Sequence, residues 1–179
     1  MPDDQPFWKA KRLDEMTAGE WESLCDGCAR CCLQKLPTPA GSPTVWSNVA
    51  CPLLDIHGSR CSDYANRLSR TDGCFQLTPQ NLADTAWALP PSCAYRLVAE
   101  GKDLAWWHPL VSGDPETVHR ASISVRGRAV APDKAGPEWL HRVDWPGRIP
   151  RGLRASDKRP TTQAVTPVAD KAGDIPSAS

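Results

Sequence analysis

Four of the eight cysteines lie in one eight-residue run, Cys25-Asp-Gly-Cys28-Ala-Arg-Cys31-Cys32, and the other four, Cys51, Cys61, Cys74 and Cys93, follow before residue 94. Two-residue spacers let successive sulfurs turn toward one point, so this pattern points to a soft metal as the organiser of the surrounding chain. Cys25, Cys28 and Cys31 have the spacing of a ferredoxin-type iron–sulfur loop. Such a loop takes its fourth thiolate from a distant Cys-Pro pair, and Cys51-Pro52 has that form. The expected cofactor is therefore an iron–sulfur cluster on Cys25, Cys28, Cys31 and Cys51, or zinc, since eight thiols also suit two tetrahedral sites. Neighbouring side chains seldom both reach one small ion. Of Cys31 and Cys32, one is expected to ligate while the other packs or serves a second site.

Eight cysteines in one small domain are too many for inert apolar filling, so the functional question turns on compartment. The N-terminus, Met-Pro-Asp-Asp-Gln-Pro, is polar and acidic, no apolar leader follows it, and no run approaches the ~18 apolar residues of a membrane span. A cytoplasmic protein with reduced thiols is the expectation, which favours metal or redox chemistry over disulfides. Formal net charge is zero, so neither nucleic acid nor a membrane surface is an expected partner.

Apolar patterning is sparse. Residues 7–24 read as a docked helix, with Thr17 and Glu20 forming a capping box, Met16 a hydrophobic staple, and Trp21 and Leu24 the buried face. Residues 33–60 are rich in Pro and Gly and read as irregular chain around a site, with a short strand at 44–46. A second helix is predicted from Pro79 to Trp87 behind Thr78, and a third from Cys93 to Glu100, capped by Ser92 and closed by Gly101. The third would place Cys93 where the helix dipole favours a thiolate. A short strand is predicted over Ile123–Val130. From Arg148 the tail holds six basic and three acidic residues and no aromatic, and reads as disordered. The predicted fold is one small α+β domain over residues 1–147, mainly helical with short strands and irregular metal-stapled loops, followed by a tail over 148–179.

Other candidates each carry two readings. His108, between Trp107 and Pro109, is a buried corner or a ligand, and His57 neighbours the cysteines but reads as solvated; His119 and His141 read as surface. Tyr64 with Arg67, and Tyr95 with Arg96, are hydrogen-bond donors to sulfur or ordinary packing residues. Eight tryptophans supply buried area to a small turn-rich domain or an aromatic face for a partner.

The run Cys25-x-x-Cys28-x-x-Cys31-Cys32, then Cys51-Pro-Leu-Leu-Asp-Ile-His-Gly-Ser-Arg-Cys61-Ser-Asp-Tyr64-Ala-Asn-Arg67 and Cys74, resembles the CxxCxxCC family of YkgJ-type zinc- or iron-chelating proteins. Leu68 departs from it, standing where many of that family carry Pro. Phe7-Trp8-Lys9, Glu20-Trp21-Glu22-Ser23-Leu24, Pro91-Ser-Cys93-Ala-Tyr95-Arg96-Leu97 and Trp107-His108-Pro109-Leu110 are similar to its YcgN-like branch, over about residues 6–145. The resemblance implies metal chelation by Cys25, Cys28, Cys31, Cys32, Cys51, Cys61, Cys74 and Cys93. Flagellin lysine methylases are similar in the cysteine region, which implies a methyltransferase-like, protein-modifying enzyme as an alternative. Three functions stand at this point: a metal or iron–sulfur protein in redox or metal handling, an enzyme using that centre, and a zinc-stabilised adaptor for a protein partner.

Overall fold

Eighteen prolines and twelve glycines leave few runs able to sustain a long helix. The computed structural model describes residues 5–151, and its helices are correspondingly short. They are α1 (Phe7–Ala10), α2 (Ala18–Ser23), α3 (Arg67–Arg70), α4 (Leu82–Thr85), α5 (Ala94–Ala99), α6 (Pro109–Ser112) and α7 (Thr117–Arg120), with single 3-10 turns between several of them. Strands β1 (Leu33–Leu36), β2 (Val45–Ala50) and β5 (Arg142–Val143) form an antiparallel sheet with β2 in the centre; β3 (Leu54–Asp55) and β4 (Arg60–Cys61) form a separate hairpin. The fold is mixed α+β. "Mainly helical" overstated it, because turn residues end each helix within two turns while the backbone groups of residues 33–50 pair as a sheet.

The segment expected as one helix over 7–24 is three pieces. Lys11, Arg12 and Met16 are extended, and the Glu15 carboxylate accepts the Arg12 amide at 2.8 Å, which starts a separate 3-10 turn. The Thr17 box forms as read: Oγ1 accepts the Glu20 amide at 3.2 Å and Glu20 accepts the Thr17 amide at 2.8 Å. Thr78 and Asn81 also exchange both bonds of such a box, yet the regular helix begins only at Leu82. Gly101 takes the left-handed conformation after α5 (φ +68°), but the residue preceding that helix is Cys93 rather than Ser92.

The predicted strand over Ile123–Val130 is a turn. Gly127 is left-handed, and the amides of Arg128 and Ala129 both donate to the Val125 carbonyl. Only Val130 pairs, bridging to Val49. The short strand read at 44–46 is longer, and β1 and β5 flank it unforeseen: Lys35 faces Trp46, Leu33 faces Ala50, and Trp46 faces Val143. The tail read as disordered lies, from residue 152, outside the described residues.

The core has three parts. Trp21, Leu24, Leu82, Leu89, Ala94, Tyr95 and Leu104 make the largest. Trp107, Val118, Ile123, Ala105 and Cys28 make a second, and Ala29, Leu33, Trp46 and Val125 a third. Tyr95 ties α5 to α2 by donating its hydroxyl to the Trp21 carbonyl at 3.0 Å. Among the described residues no helix is long and apolar enough to cross a membrane.

His108 is the buried corner that its neighbours suggested. It is 1% exposed, its Nε2 bonds the Leu24 carbonyl at 3.0 Å, and its Nδ1 accepts the Leu110 amide at 3.1 Å. A carbonyl accepts, so Nε2 carries the proton and the ring is neutral. Burial holds its pKa below the ordinary 6.5.

Two outcomes test this core. Truncating the fully buried Leu24 to Ala should lower unfolding free energy by about 2–5 kcal/mol in denaturant titrations, and a loss below about 1 kcal/mol would contradict its packing. As pH falls through about 6.5, the unfolded chain gains a proton at position 108 that the folded chain resists, so stability drops below that pH and is unaffected by His108 above it. His108→Asn keeps an N-cap acceptor and should flatten the stability change between pH 7.5 and 5.8; an unchanged slope would exclude His108 as its source.

Candidate metal centre

Leu24 ends α2, and the chain then makes two left-handed residues, Gly27 (φ +72°) and Ala29 (φ +57°). Glycine adopts this conformation freely, whereas alanine at position 29 pays about 1–2 kcal/mol for it. The surroundings hold it there. Ala29 is buried in the third core cluster and its carbonyl accepts the Cys32 amide at 3.0 Å, while the Cys28 carbonyl accepts the Val125 amide at 3.0 Å. Asp26 is buried beneath the loop, its Oδ1 accepting the Cys28 amide at 3.1 Å and its Oδ2 the Trp107 indole N–H at 3.3 Å.

All eight cysteines are free thiols. The main chain joins some of them directly. The Cys51 amide donates to the Cys32 carbonyl at 2.8 Å, continuing the β1–β2 ladder past Leu33 and Ala50. The Cys51 carbonyl accepts the Leu54 amide at 2.9 Å, and Leu54 faces Cys61 across the β3–β4 hairpin. Cys93 precedes α5, and both it and Cys31 pack against the largest core cluster. Cys32 instead packs, with Leu54, against the third cluster. Cys51 was expected to complete a set with Cys25, Cys28 and Cys31; its main-chain partner is Cys32. Among the described residues, no three Cys, His, Asp or Glu side chains stand close enough together to hold a metal ion as they are placed.

Backbone donors lie at several of the sulfurs. Backbone N–H groups of Gly27, Arg30 and Arg96 donate to the sulfurs of Cys25, Cys28 and Cys93. Cys25 is exposed as a residue, but enough chain surrounds its sulfur for burial, aided by the Asp26 charge, to push the thiol up to about 12. Burial likewise raises the thiols of Cys28, Cys93 and Cys74. At Cys93 desolvation outweighs any help from the helix dipole, so the thiolate read from that position is disfavoured. Cys31 goes the other way, to about 7, because the Cys32 thiol donates a hydrogen bond to its sulfur and the Lys35 ammonium is near. The same contact pushes Cys32 far up.

Two cations lie against this group. Arg30, 3% exposed, donates Nε–H to the Ile123 carbonyl at 2.6 Å and reaches the Ser92 hydroxyl and the Trp145 carbonyl, each at 3.4 Å. Lys35 donates to the Cys31 carbonyl and lies 5.1 Å from the Trp46 ring centre. Burial lowers both pKa values; charge at Cys28 and at Asp26 opposes this for Arg30, and at Cys31, Cys32, Cys51 and Cys74 for Lys35. Among the described residues neither cation has a carboxylate ion-pair partner. Sequence reasoning missed both, along with Asp26. Their only signal was position, inside or just after the cysteine run.

The remaining candidates are structural. His57 is exposed. His119 and His141, read as surface, are partly buried and bond Ser124 Oγ and Asn48 Oδ1, each at 2.8 Å. Tyr64 is exposed, donates to Glu22 at 2.9 Å and stacks under Arg67. Tyr95 is buried core, and Arg96 caps the Ala86 and Leu89 carbonyls. Trp21, Trp46 and Trp107 are buried, whereas Trp87 and Trp139 are 63% and 75% exposed, so burial accounts for only part of the tryptophan content.

A UPF0260 protein of Gluconacetobacter diazotrophicus is 59% identical over 160 residues, 89% of this chain and 99% of that one. UPF0260 proteins of Granulibacter bethesdensis (56% over 154 residues, 86% and 92% of the two chains) and Sinorhizobium fredii (61% over 145 residues, 80% and 93%) are also similar. No family model matches the chain, and no solved structure does. These names correct the YkgJ-type, YcgN-like assignment drawn from the cysteine spacing: short thiol motifs recur between families, whereas identity above one half along nearly the whole chain does not arise from spacing alone. On that similarity the chain belongs to the UPF0260 family.

Proposed function

We propose that the cysteines hold a thiolate-ligated metal centre, an iron–sulfur cluster or zinc, and that the protein works in redox chemistry or metal handling. The observation that carries this reading is the pair of cations, Arg30 and Lys35, placed against the thiols with no carboxylate partner among the described residues. A buried guanidinium beside neutral thiols has only the Asp26 carboxylate, beyond ion-pair distance, to offset its charge, and burying a poorly paired charge is costly. Beside a metal bound by four thiolates it is a counter-charge, since such a group is a net anion. The N–H groups of Gly27, Arg30 and Arg96 aimed at three sulfurs act in the same sense, stabilising negative sulfur.

The metal-free thiols resist ionisation at Cys25, Cys28 and Cys93, so loading means displacing protons from buried sulfur. Cys31, at about 7, is the thiol readiest to bind first. Because the cysteines sit on turns, strand ends and helix ends, metal would also staple residues 25–93 into one body, although residues 33–60, read as irregular, carry four short strands.

Metal and sulfide analysis of anaerobically purified protein, with its visible spectrum, tests the reading. Iron with equimolar sulfide and brown absorbance gives a cluster and redox chemistry; zinc without colour gives a structural site and favours a scaffold presenting Trp139 and Leu140 to a partner. Protein free of both metals would sink the proposal. Stripping the metal should lower the thermal midpoint, and an unchanged midpoint would remove the stapling role. Arg30→Gln should weaken metal retention in chelator competition by roughly 10–100-fold, and undiminished retention would exclude Arg30 as the counter-charge.

A further inference from the structure

We infer that the eight cysteines form two separate four-thiol metal sites, Cys25, Cys28, Cys31 and Cys93 in one, and Cys32, Cys51, Cys61 and Cys74 in the other. The inference rests on the metal-binding reading above and assigns its ligands. It takes the place next to the Cys-x-x-Cys-x-x-Cys loop away from Cys51 and gives it to Cys93.

Main-chain bonds separate the sets. Cys51 donates its amide to Cys32, Cys51 and Leu54 close one turn, and Leu54 faces Cys61, so three members of the second set are linked through consecutive backbone contacts. The first set is gathered by the helices. Arg30, between Cys28 and Cys31, reaches the hydroxyl of Ser92, the neighbour of Cys93. Tyr95, two residues past Cys93, bonds the Trp21 carbonyl in α2, the helix that leads into Cys25. Cys31 and Cys93 then pack against one apolar cluster and Cys32 against another.

Electrostatic proximity divides the thiols in the same way. Cys93 is influenced by Cys31 and Cys25, and Cys28 by the same two. Cys74, which no backbone contact joins to the others, is influenced by Cys51 and Cys61. The division also explains the adjacent pair, because side chains of consecutive residues leave the backbone in different directions. The Cys31–Cys32 peptide is where the two sets meet, and the hydrogen bond between their sulfurs in the metal-free protein is the contact that loading replaces. Arg30 lies at Cys28 of the first set, and Lys35 stands at the junction, near Cys31 as well as Cys32, Cys51 and Cys74.

Single serine variants of the full chain read out the partition through metal content per chain. Wild type should hold two centres. Cys28→Ser and Cys93→Ser should each lose the same centre and keep the other, halving the number of centres, and Cys51→Ser and Cys61→Ser should keep the one that those lose. If Cys51→Ser empties the centre lost in Cys28→Ser while Cys93→Ser stays fully loaded, the partition is wrong. One centre in wild type overturns it too, while leaving the metal-binding reading standing; no metal in wild type overturns both. Should the variants fold poorly, cadmium-substituted wild-type protein avoids them, because each cadmium nucleus couples to the β-protons of its own cysteines. Two cadmium resonances, one coupled to Cys25, Cys28, Cys31 and Cys93 and one to the other four, are expected; any resonance joining Cys51 to Cys25 or Cys28 overturns the assignment, as does a failure to take up cadmium.

Discussion

Five residues, Cys28 to Cys32, hold the three parts of the core together. Cys28 belongs to the cluster around Trp107 and Val118, Ala29 and Cys32 to the one around Leu33 and Trp46, and Cys31 to the one around Trp21 and Leu24. Extended backbone offers a five-residue segment only two directions, since its side chains alternate with period 2. The left-handed turn at Ala29 and the 3-10 turn that follows supply the needed change of direction. The strain at Ala29 is therefore offset by packing on three sides, and the cysteine loop is the joint of the fold.

That position has an electrostatic consequence. A segment surrounded by apolar clusters is dry, and dry surroundings disfavour thiolate, which is why burial raises Cys25, Cys28 and Cys93. The same surroundings disfavour Arg30, yet Arg30 is there, held by two carbonyls, a hydroxyl and the face of Trp145. Opposite charges that are each costly alone become tolerable together. Neutral thiols add nothing to the one opposite charge nearby, Asp26. In the proposed metal-bound form negative sulfur would accompany Arg30, because a bound metal keeps its thiolate ligands ionised at neutral pH.

Local chemistry was legible in the sequence where it did not depend on distant chain. The Thr17–Glu20 box, a helix near residues 93–100 and the left-handed Gly101 are decided within four residues, and each appears, although the helix is preceded by Cys93 and not capped by Ser92. The break of the first helix was also local, but its signal, Glu15 reaching the Arg12 amide, competes with helix propensity and was overlooked. What failed was long-range. Ile123 and Val125 alternate with polar residues because both point into core clusters from a turn, not because they lie in a strand. β5 is two residues long and exists because Trp46 and Ser47 offer it a partner. Arg30 could not be read as buried, since arginine rarely is and its acceptors lie 93 and 115 residues away.

Under the proposed partition the same limit applies to the fourth thiolate beside Cys25, Cys28 and Cys31. Cys51 precedes Pro52 and so fits the ferredoxin pattern, but that pattern encodes a particular loop path, and here the path is set by β2. The β1–β2 ladder carries Cys51 to the Cys32 carbonyl, while the bonds from Tyr95 to Trp21 and from Arg30 to Ser92 draw Cys93 toward the loop from the helical side. Sequence distance favours Cys51, which is 20 residues from Cys31 against 62 for Cys93. Loop-closure entropy grows only with the logarithm of that separation, so the difference is worth about 1 kcal/mol. Two hydrogen bonds and a shared apolar cluster exceed it.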